Sequence, residues 1–355
     1  MLRATTKTQR KPPSPPDLRG TPRPFLKWVG GKGQLLSQLW PHLPGSFERY
    51  HEPFLGGGAL FFALRPRRAF LSDVNRELID CYIAVRDSIE EVIEALRVHR
   101  YEQEHYYEVR AQNPFALSPP ERAARTIFLN RTGFNGLYRV NRSGQFNVPF
   151  GRYTNPLICD EANLRACSRV LQDVELCVQD FTLAADQMLS GDLAYFDPPY
   201  IPVSSTANFT GYSADGFNTN DQARLARVFG RLVERGVHGL LSNADVPALR
   251  QLYAPFSAAT LQATRAVNCD TSRRGKVNEL LVLGRPTAPA AVLRRPVRIA
   301  AQLPDQSRTS RCPARARIES RYSPFPRSYS EPTTRLGTIR WSFPSPSSVS
   351  LGPTS

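Results

Sequence analysis

Between residues 49 and 284 the sequence alternates short apolar runs with amphipathic segments, and this rhythm constrains the fold most. The runs with the length and composition of buried strands are RYHEPF (49–54), AFLSD (69–73), VELCV (174–178), LAYFD (193–197), HGLLSN (238–243), TLQATRAV (260–267) and VNELLVL (277–283). Helical patterns such as residues 58–64 and 219–235 lie between several of them. This order predicts an α/β fold with a parallel sheet, and the last two runs predict an antiparallel edge hairpin.

The stretch from about residue 75 to residue 172 breaks this rhythm. Helical patterns cover residues 75–97, 102–112 and 119–131. They lead into a segment in which two short strands are predicted to flank the turn residues 142–144. We interpret this stretch as a helical insertion that carries a β-hairpin and serves a substrate.

Composition completes the predicted domain organisation. The two ends are rich in Pro and basic residues or in Pro, Ser and Arg, without sustained periodicity, so we expect them to be disordered. The predicted division is a basic Pro-rich tail (1–23), a catalytic domain in two pieces (24–75 and 173–284), the insertion (76–172) and a second tail (285–355).

The formal net charge of +15 lies mostly in those tails. Residues 1–23 contain six basic residues and one acid, and residues 285–355 contain twelve arginines and three acids, which leaves +1 for the rest. Net charge alone therefore indicates little about partners. An acid-free block inside the insertion is suited to face phosphates. Its arginines are Arg122, Arg125, Arg131, Arg139, Arg142 and Arg152.

Several kinds of site are not indicated. No apolar stretch approaches the roughly 18 residues of a membrane span, and the start does not resemble a signal peptide. The six cysteines include no C-x-x-C pair and the five histidines show no ligand spacing, so no metal site is predicted. We expect a monomeric, cytoplasmic protein without a membrane partner.

A glycine-rich turn and an acid point to a nucleoside ligand. EPFLGGG (52–58) follows the first predicted strand and opens a helix, so Gly56 and Gly58 allow a tight turn and a close ligand. Asp73 lies 17 residues after Gly56 at the end of the next strand, near the spacing at which nucleotide folds hold a ribose diol.

The glycine pattern excludes two common phosphate sites. A dinucleotide fingerprint would require glycine at Phe61, and a phosphate loop would require Ser or Thr where Gly33 follows Lys32. The sequence therefore predicts an adenosine-containing ligand without a pyrophosphate.

The stretch AYFDPPYIP (194–202) places a reactive loop after a central strand. Asp197 follows the strand at the edge where open α/β sheets bind ligands. Pro198 and Pro199 fix two φ angles and remove two donors, so nearby carbonyls are presented rigidly. A carboxylate beside a fixed carbonyl matches an exocyclic amino group with two hydrogens, and Tyr200 adds a face for stacking on a base.

Together these motifs resemble the Dam-type DNA adenine N6-methyltransferases of the D12 class (alpha group). The resemblance covers residues 25–284 in the family's order. The motifs are FLKWVGGK (25–32), EPFLGGG (52–58), LSDVN (71–75), LNRTGFNGLYR (129–139), FNVPFGRY (146–153) and DPPYIPVSSTANFTGY (197–212). It implies a Rossmann-like S-adenosylmethionine-dependent methyltransferase fold whose insertion is a target-recognition region.

The resemblance also implies a cofactor and a chemistry. The residues that would bind S-adenosylmethionine are Trp28, Lys32, Phe54, Gly56, Gly58, Asp73 and Asp197, with Asp180 and Phe181 near its adenine. The target adenine would leave the duplex. Asp197 and the Pro198 carbonyl would then hold its N6, Tyr200 would stack on the base, and the methyl group would pass directly to nitrogen.

Double-stranded DNA is the implied partner, with GATC as the target. Arg139 matches a guanine-reading arginine, Leu137 and Pro149 match contacts to a thymine methyl, and Phe134 matches an aromatic wedge in the base stack. The remaining implied DNA contacts are Lys27, Asn135 and Arg152. Two residues depart from the family pattern: Phe134 lacks a tyrosine hydroxyl, and Tyr138 is bulkier than expected beside Arg139.

Alternatives within the same chemistry are methylation of cytosine N4, RNA or a protein amide. From another class, the chain would be a DNA-binding protein with this fold but no turnover. Asp at position 197 favours adenine, and the arginine-rich insertion favours duplex DNA. Whether such an enzyme stands alone or belongs to a restriction-modification system is open at this stage.

Overall fold

The computed structural model describes residues 21–200, 217–264 and 276–286. Its strands are β1 (Tyr50–Glu52), β2 (Ala69–Asp73), β3 (Val174–Val178), β4 (Leu193–Phe196), β5 (His238–Ala244), β6 (Ser257–Thr264) and β7 (Lys276–Gly284). Its α-helices are α1 (Leu36–Leu39), α2 (Ala59–Leu64), α3 (Arg76–Asp87), α4 (Ile89–Arg97), α5 (Gln103–Ala111), α6 (Pro119–Thr132), α7 (Glu161–Leu171), α8 (Phe181–Asp186), α9 (Thr219–Arg235) and α10 (Pro247–Leu252). Short 3₁₀ helices are Lys32–Leu35, Trp40–His42, Pro114–Ala116 and Phe134–Gly136.

Some predictions fall outside these ranges. They are the last part of the DPPY motif (201–212), residues 265–267 of the predicted sixth strand, and most of the two tails (1–20 and 287–355). Within the described ranges, no helix combines the length and the apolar character needed to cross a bilayer.

The seven strands form one sheet in the order β3-β2-β1-β4-β5-β7-β6. The five strands from β3 to β5 are parallel, whereas β7 runs antiparallel to both β5 and β6. The predicted α/β fold and antiparallel edge hairpin are confirmed. The strand order agrees with the Rossmann-like fold that the resemblance implies.

Alternate residues of the central strands pack into two hydrophobic clusters on opposite faces of the sheet, as the period of a β-strand requires. On β4, Tyr195 joins one cluster, whereas Ala194 and Phe196 join the other. The second cluster is covered by residues of α8, α9 and α10. The first also contains Phe128 and its neighbours on α6, so the insertion shares one hydrophobic core with the sheet.

The insertion departs from its predicted elements in two places. The helical pattern over residues 75–97 divides at Ser88, whose φ of −140° and ψ of 48° end α3 and begin α4. The predicted hairpin reverses at residues 142–144, with Gly144 at φ +74°, but it lacks two regular strands. Its antiparallel pairing consists of the bridges Val140↔Phe146 and Gly133↔Phe150 and of short backbone bonds, such as that from the Asn147 N–H to the Arg139 carbonyl at 3.0 Å.

Side chains hold the hairpin in its reversed conformation. The Asn141 side chain accepts from the backbone N–H groups of Ser143 and Gln145, both at 2.9 Å. The Val148 carbonyl accepts from Tyr106 Oη at 2.9 Å and from a guanidinium of α5 at 3.1 Å. These bonds satisfy backbone groups of the turn and of the outer edge of the hairpin, and they hold the reversed loop in place.

The predicted phosphate-facing arginine block is only partly correct. Arg125 is buried and pairs with Glu77 of α3 at 3.3 Å, while its Nε donates to the Val109 carbonyl at 3.0 Å. Arg131 is half-buried, and Arg122 pairs with Asp80 at 3.3 Å. These three arginines lie on α6, where the helical period turns part of the block towards the core.

Acidic side chains meet at the carboxyl ends of the strands. Glu52 ends β1 with its side chain buried and accepts a hydrogen bond from Tyr50 Oη at 2.8 Å. Burial raises the pKa of Glu52 to about 8, and the carboxylate of Asp197 adds to this rise. Asp73 ends the neighbouring strand β2. This edge of the sheet therefore concentrates groups that would be negatively charged in water.

We predict that Glu52→Gln makes the protein more stable than wild type, by a margin that grows as pH rises. Glu52 has a pKa near 4.5 when unfolded and about 8 when folded. The folded state therefore binds more protons between these values, and stability falls as pH rises through this window. Glutamine removes that titration. The measurement is the thermal midpoint of both proteins from pH 5 to pH 8.

Glu175→Gln is the matched control, since Glu175 lies on β3 but is exposed. Its difference from wild type should stay flat with pH. A flat difference for Glu52→Gln as well would contradict the prediction.

Candidate active site

The site lies where the strand order reverses. From β1 the sheet continues to β2 and β3 on one side, and from β4 it continues to β5 on the other. Loops after β1 and β4 therefore diverge and open a crevice at the carboxyl edge. The glycine turn follows β1, and Asp197 follows β4, so both predicted motifs border this crevice.

The glycine turn is shaped for close contact. Gly56 and Gly58 have φ of +47° and +64°, in the region that favours glycine. A Cβ on Gly56 would lie 2.7 Å from Trp28 Cδ1, and one on Gly58 would lie 3.1 Å from Tyr82 Oη. The structure thus brings Trp28 directly onto the turn, as predicted for residues of one ligand site.

Asp73 is held against the same turn. Its Oδ2 accepts from the Gly56 N–H at 3.2 Å, and its Oδ1 accepts from the Asn75 N–H at 3.0 Å. Burial raises its pKa to about 6, and the backbone N–H donors oppose that rise. Each carboxylate oxygen retains a second lone pair, so Asp73 is able to accept from a pair of hydroxyls.

Aromatic rings form the next wall. Phe54 stacks on Phe181 at a centroid distance of 5.4 Å, and Phe217 meets Phe54 edge-on at 5.7 Å. Asp180 caps α8 and pairs with Arg224 at 3.0 Å, and that guanidinium lies 4.5 Å from the centre of the Phe181 ring. The residues predicted near an adenine ring are therefore adjacent.

Asp197 already holds a cationic donor. Its Oδ1 lies 2.8 Å from Lys32 Nζ, whose side chain is only 3% exposed. The same ammonium donates to the Gly30 carbonyl at 2.7 Å and lies 4.9 Å from the centre of the Tyr200 ring. Burial raises the pKa of Asp197 to about 6, and Lys32 opposes this rise. A nitrogen donor thus occupies the acceptor that the sequence assigned to an amino group.

Glu279 is a member of the site that the sequence reasoning missed. Its Oε2 accepts from Tyr200 Oη at 2.7 Å and lies 3.7 Å from Lys32 Nζ. It lies on β7 opposite Ala244, the last residue of β5. Antiparallel pairing thus brings an acid from the middle of a strand to the carboxyl edge. The available signal was a single acid within the apolar run VNELLVL.

Hydrogen bonds of buried polar side chains hold the DPPY loop (197–200) against the sheet. Gln222 of α9 donates to the Pro199 carbonyl at 3.5 Å and accepts from Asn243 Nδ2 of β5 at 2.9 Å. A second buried pair joins β4 to β5, since Tyr195 Oη and Ser242 Oγ are 2.9 Å apart. Pro198 is buried, and Tyr200 is half-buried. The loop is therefore anchored to α9 and β5 and presents Asp197 at a fixed position.

A second group of predicted residues gathers around the turn Phe134–Gly136. Phe134 is 45% exposed, which is unusual for a large aromatic residue, and Asn135 has φ +55°. Lys27 packs against this turn, because a Cβ on Gly136 would lie 2.5 Å from Lys27 Cδ. Asn130 fixes both by accepting from the Lys27 N–H and donating to the Lys27 and Gly136 carbonyls.

Arg139 is oriented by its own loop. Its Nε donates to Asn147 Oδ1 at 2.7 Å, and its Nη2 donates to the Asn147 carbonyl at 3.2 Å. These bonds use two of the five N–H groups of a guanidinium, so donors remain for a base edge. Pro149 and Arg152 are exposed, and Leu137 is half-buried. Asn147 lies within the motif FNVPFGRY, although its role was not predicted.

The two groups of residues meet at one aromatic contact. Tyr138 stacks on Trp28 at a centroid distance of 5.4 Å, and its hydroxyl donates to Glu77 Oε2 at 2.8 Å.

Among the residues in the described ranges, no cluster of three or more His, Cys, Asp or Glu side chains is arranged to hold a metal ion.

Comparison with known proteins agrees with this geometry. Residues 28–267 match the family of D12 class N6 adenine-specific DNA methyltransferases. The chain is 43% identical over 268 residues to the type II methyltransferase M1.LlaDCHI of Lactococcus lactis subsp. cremoris, covering 73% of this chain and 94% of that protein. It is 40% identical over 284 residues to the type II methyltransferase M.MjaIII of Methanocaldococcus jannaschii (74% and 98% covered). It is 38% identical over 271 residues to the DNA adenine methylase of Escherichia coli K12 (74% and 96% covered).

We predict opposite shifts in the pKa of Asp197 when its two charged neighbours are changed. Lys32→Met removes the cation that favours the carboxylate, so the pKa should rise. Glu279→Gln removes a neighbouring negative charge, so the pKa should fall. The measurement is a titration of ¹³C-carboxyl-labelled aspartates by NMR, with Asp197→Asn to assign the signal.

Asp73 provides an internal control, since its pKa is also about 6 but neither Lys32 nor Glu279 contributes to its shift. Its midpoint should stay unchanged in both variants. Midpoints of Asp73 and Asp197 that move together would contradict the prediction.

Proposed function

The chain belongs to the D12 class of N6 adenine-specific DNA methyltransferases, and we propose that it methylates the adenine of GATC by the residues described above. It is a site-specific DNA methyltransferase acting on adenine N6. The observation that best supports the proposed site is the 2.8 Å distance between Asp197 Oδ1 and Lys32 Nζ, because this carboxylate already accepts from a nitrogen donor. Enzymes of this class use S-adenosylmethionine as their methyl donor.

We propose that the crevice after β1 binds S-adenosylmethionine, which supplies an electrophilic methyl group on a sulfonium. The fit is supported by the glycine turn, where a Cβ on Gly56 would collide with Trp28, and by the half-buried Asp73 carboxylate beside that turn. Asp73 would accept from the ribose hydroxyls. Phe54 and Phe181 would contact the adenine ring, and Trp28 and Lys32 would complete the site.

The acceptor chemistry follows from hydrogen bonding at Asp197. The Asp197 carboxylate and the Pro198 carbonyl would accept the two hydrogens of the target amino group. This arrangement draws the nitrogen lone pair out of ring conjugation and towards the methyl group. Tyr200 would stack on the extruded base and offset part of the few kcal/mol that base flipping costs. Catalysis would rest on positioning and electrostatics.

Lys32 Nζ pairs with Asp197 Oδ1, so the target amino group would either use Oδ2 or displace the ammonium from Oδ1. Glu279 Oε2 lies 3.7 Å from Lys32 Nζ, so a short shift would give the ammonium a second carboxylate partner. The cation would then stay paired inside the site while the base enters. An unpaired buried ammonium would carry a large desolvation penalty.

For the DNA, we propose that residues 76–172 form the target-recognition region. Arg139, oriented by Asn147, would read a guanine, and Leu137 and Pro149 would contact a thymine methyl. Phe134 is suited to enter the base stack because intercalation requires only a flat apolar wedge. Lys27, Asn135 and Arg152 would complete the contacts. We infer that a monomer acts on DNA in the cytoplasm.

We predict that the purified protein transfers labelled methyl groups from S-adenosylmethionine to a duplex with one GATC site. A duplex with that adenine already N6-methylated on both strands should accept none, nor should one with the guanine replaced or an RNA of the same sequence. Digestion and mass spectrometry should identify N6-methyladenine and no N4-methylcytosine. Asp197→Ala should abolish transfer while DNA binding persists.

Equal labelling of the substituted duplex would contradict the GATC proposal. Binding of DNA without any transfer would instead favour a protein with the fold but no turnover.

We predict that Arg139→Ala lowers discrimination at one guanine by about 5- to 150-fold, the range expected for a bidentate base contact. The measurement is kcat/KM for GATC and for duplexes changed only at that base pair. Arg142→Ala is the control, since Arg142 is exposed at the tip of the same loop. It should leave the ratio unchanged. An equal loss of affinity for every sequence in Arg139→Ala would identify a phosphate contact instead.

A further inference from the structure

Tyr138 lies between two residues with proposed DNA contacts but points the opposite way. Its side chain is 8% exposed, whereas Leu137 and Arg139 on either side are half-buried. The chain here is extended, with Leu137 at φ −69° and ψ 147°, so successive side chains alternate between outside and inside. The orientation of Arg139 is therefore linked to the seating of Tyr138.

The ring of Tyr138 reaches the proposed methyl-donor site. It stacks on Trp28 at 5.4 Å with an interplanar angle of 25°, and Phe146 meets it edge-on at 5.7 Å. Trp28 in turn touches the glycine turn, where a Cβ on Gly56 would lie 2.7 Å from its Cδ1. One chain of direct contacts thus joins the recognition loop to the turn after β1.

The hydroxyl of Tyr138 fixes the ring in that position. It donates to Glu77 Oε2 at 2.8 Å. The other oxygen of Glu77 accepts from Thr126 Oγ1 at 2.8 Å and lies 3.3 Å from Arg125 Nη1. Both of those residues lie on α6, inside the core of the insertion. The Tyr138 ring is thus held by Trp28 on its face and by Glu77 at its hydroxyl. A displacement of Trp28 would therefore move the Tyr138 side chain, because the ring is not free to rotate away.

We infer that Tyr138 is a positioning residue that couples occupancy of the methyl-donor site to the orientation of Arg139. A ligand that seats Trp28 would thereby increase discrimination at the base that Arg139 reads. This inference rests on the proposed function, in particular on Trp28 contacting the donor and Arg139 contacting the base. Coupling between two sites is reciprocal, so the protein bound to target DNA should bind the donor more tightly than the protein bound to DNA altered at that base pair, by the same factor.

The test measures binding of two duplexes with and without S-adenosylhomocysteine. One duplex contains the site that the wild-type enzyme methylates, and the other is changed only at the Arg139-dependent base pair. Discrimination is the ratio of the protein's affinities for the two duplexes. The coupling factor is the discrimination measured with S-adenosylhomocysteine divided by the discrimination measured without it. We expect a factor of about 5 or more in wild type, the lower end of typical allosteric coupling.

Two substitutions separate the ring from its hydroxyl. Tyr138→Met keeps apolar bulk but loses the ring, so its coupling factor should fall to within about twofold of one, given that stacking carries the contact with Trp28. Tyr138→Phe keeps the stacking but loses the bond to Glu77, so its factor should be intermediate. Thermal midpoints of both variants show that each is folded.

Tyr106→Phe is the matched control, because Tyr106 is a buried tyrosine of the insertion whose hydroxyl donates to the same loop at Val148. Its coupling factor should equal that of wild type. Should Tyr138→Met not fold, the comparison of Tyr138→Phe with Tyr106→Phe decides the matter. An unchanged factor in the Tyr138 variants, or an equal loss in Tyr106→Phe, would overturn the inference.

The outcome is independent of the exact target. Methylation of a site other than GATC would disprove the proposed sequence, but the coupling factor would still be measured on the methylated site. A wild-type factor of one on that site would overturn the inference while leaving the methyltransferase activity intact.

Discussion

The active site depends on one buried ammonium group. Two carboxylates, Asp197 and Glu279, meet at the carboxyl edge of the sheet, and Lys32 Nζ lies 2.8 Å from the first and 3.7 Å from the second. Without the cation, burial and the charge of Glu279 would favour the protonated form of Asp197, and a protonated Asp197 accepts an amino group less well. The ammonium therefore favours the ionised form of Asp197, which is the form that the proposed acceptor role requires.

Residues 27–32 contact both the proposed DNA-binding residues and the proposed methyl-donor site. Within six residues, Lys27 packs on the exposed Phe134 turn, Trp28 stacks on Tyr138 beside the glycine turn, and Lys32 pairs with Asp197. A shift of this segment would move a proposed DNA contact, a proposed donor contact and the cation beside Asp197 together. The shared core between α6 and the sheet limits such motion, because close-packed interiors transmit displacement rather than absorb it.

Much of the fold could be predicted from the sequence, because the signals were local. The runs AFLSD and VELCV and the helical pattern 219–235 match β2, β3 and α9 residue for residue. The break at Ser88 was missed because the helical periodicity continues through it. The predicted hairpin forms, but its antiparallel pairing is too short to make two regular strands. Arg125 was misjudged because charge in a sequence does not reveal which helix face is buried.

By itself, the sequence determined the order of elements, the tight glycine turn after β1 and the proline-rigidified loop after β4. Each of these follows from the conformational limits of neighbouring residues. Only the tertiary structure decided that Glu279 would sit beside Tyr200 and that Tyr138 would join Trp28 to Glu77. The hydrogen bond between Tyr200 and Glu279 joins residues 79 positions apart in the sequence, and the bond between Tyr138 and Glu77 joins residues 61 positions apart. They exist because strand pairing and a shared core bring distant segments together, and no periodicity in a single chain encodes such a distance.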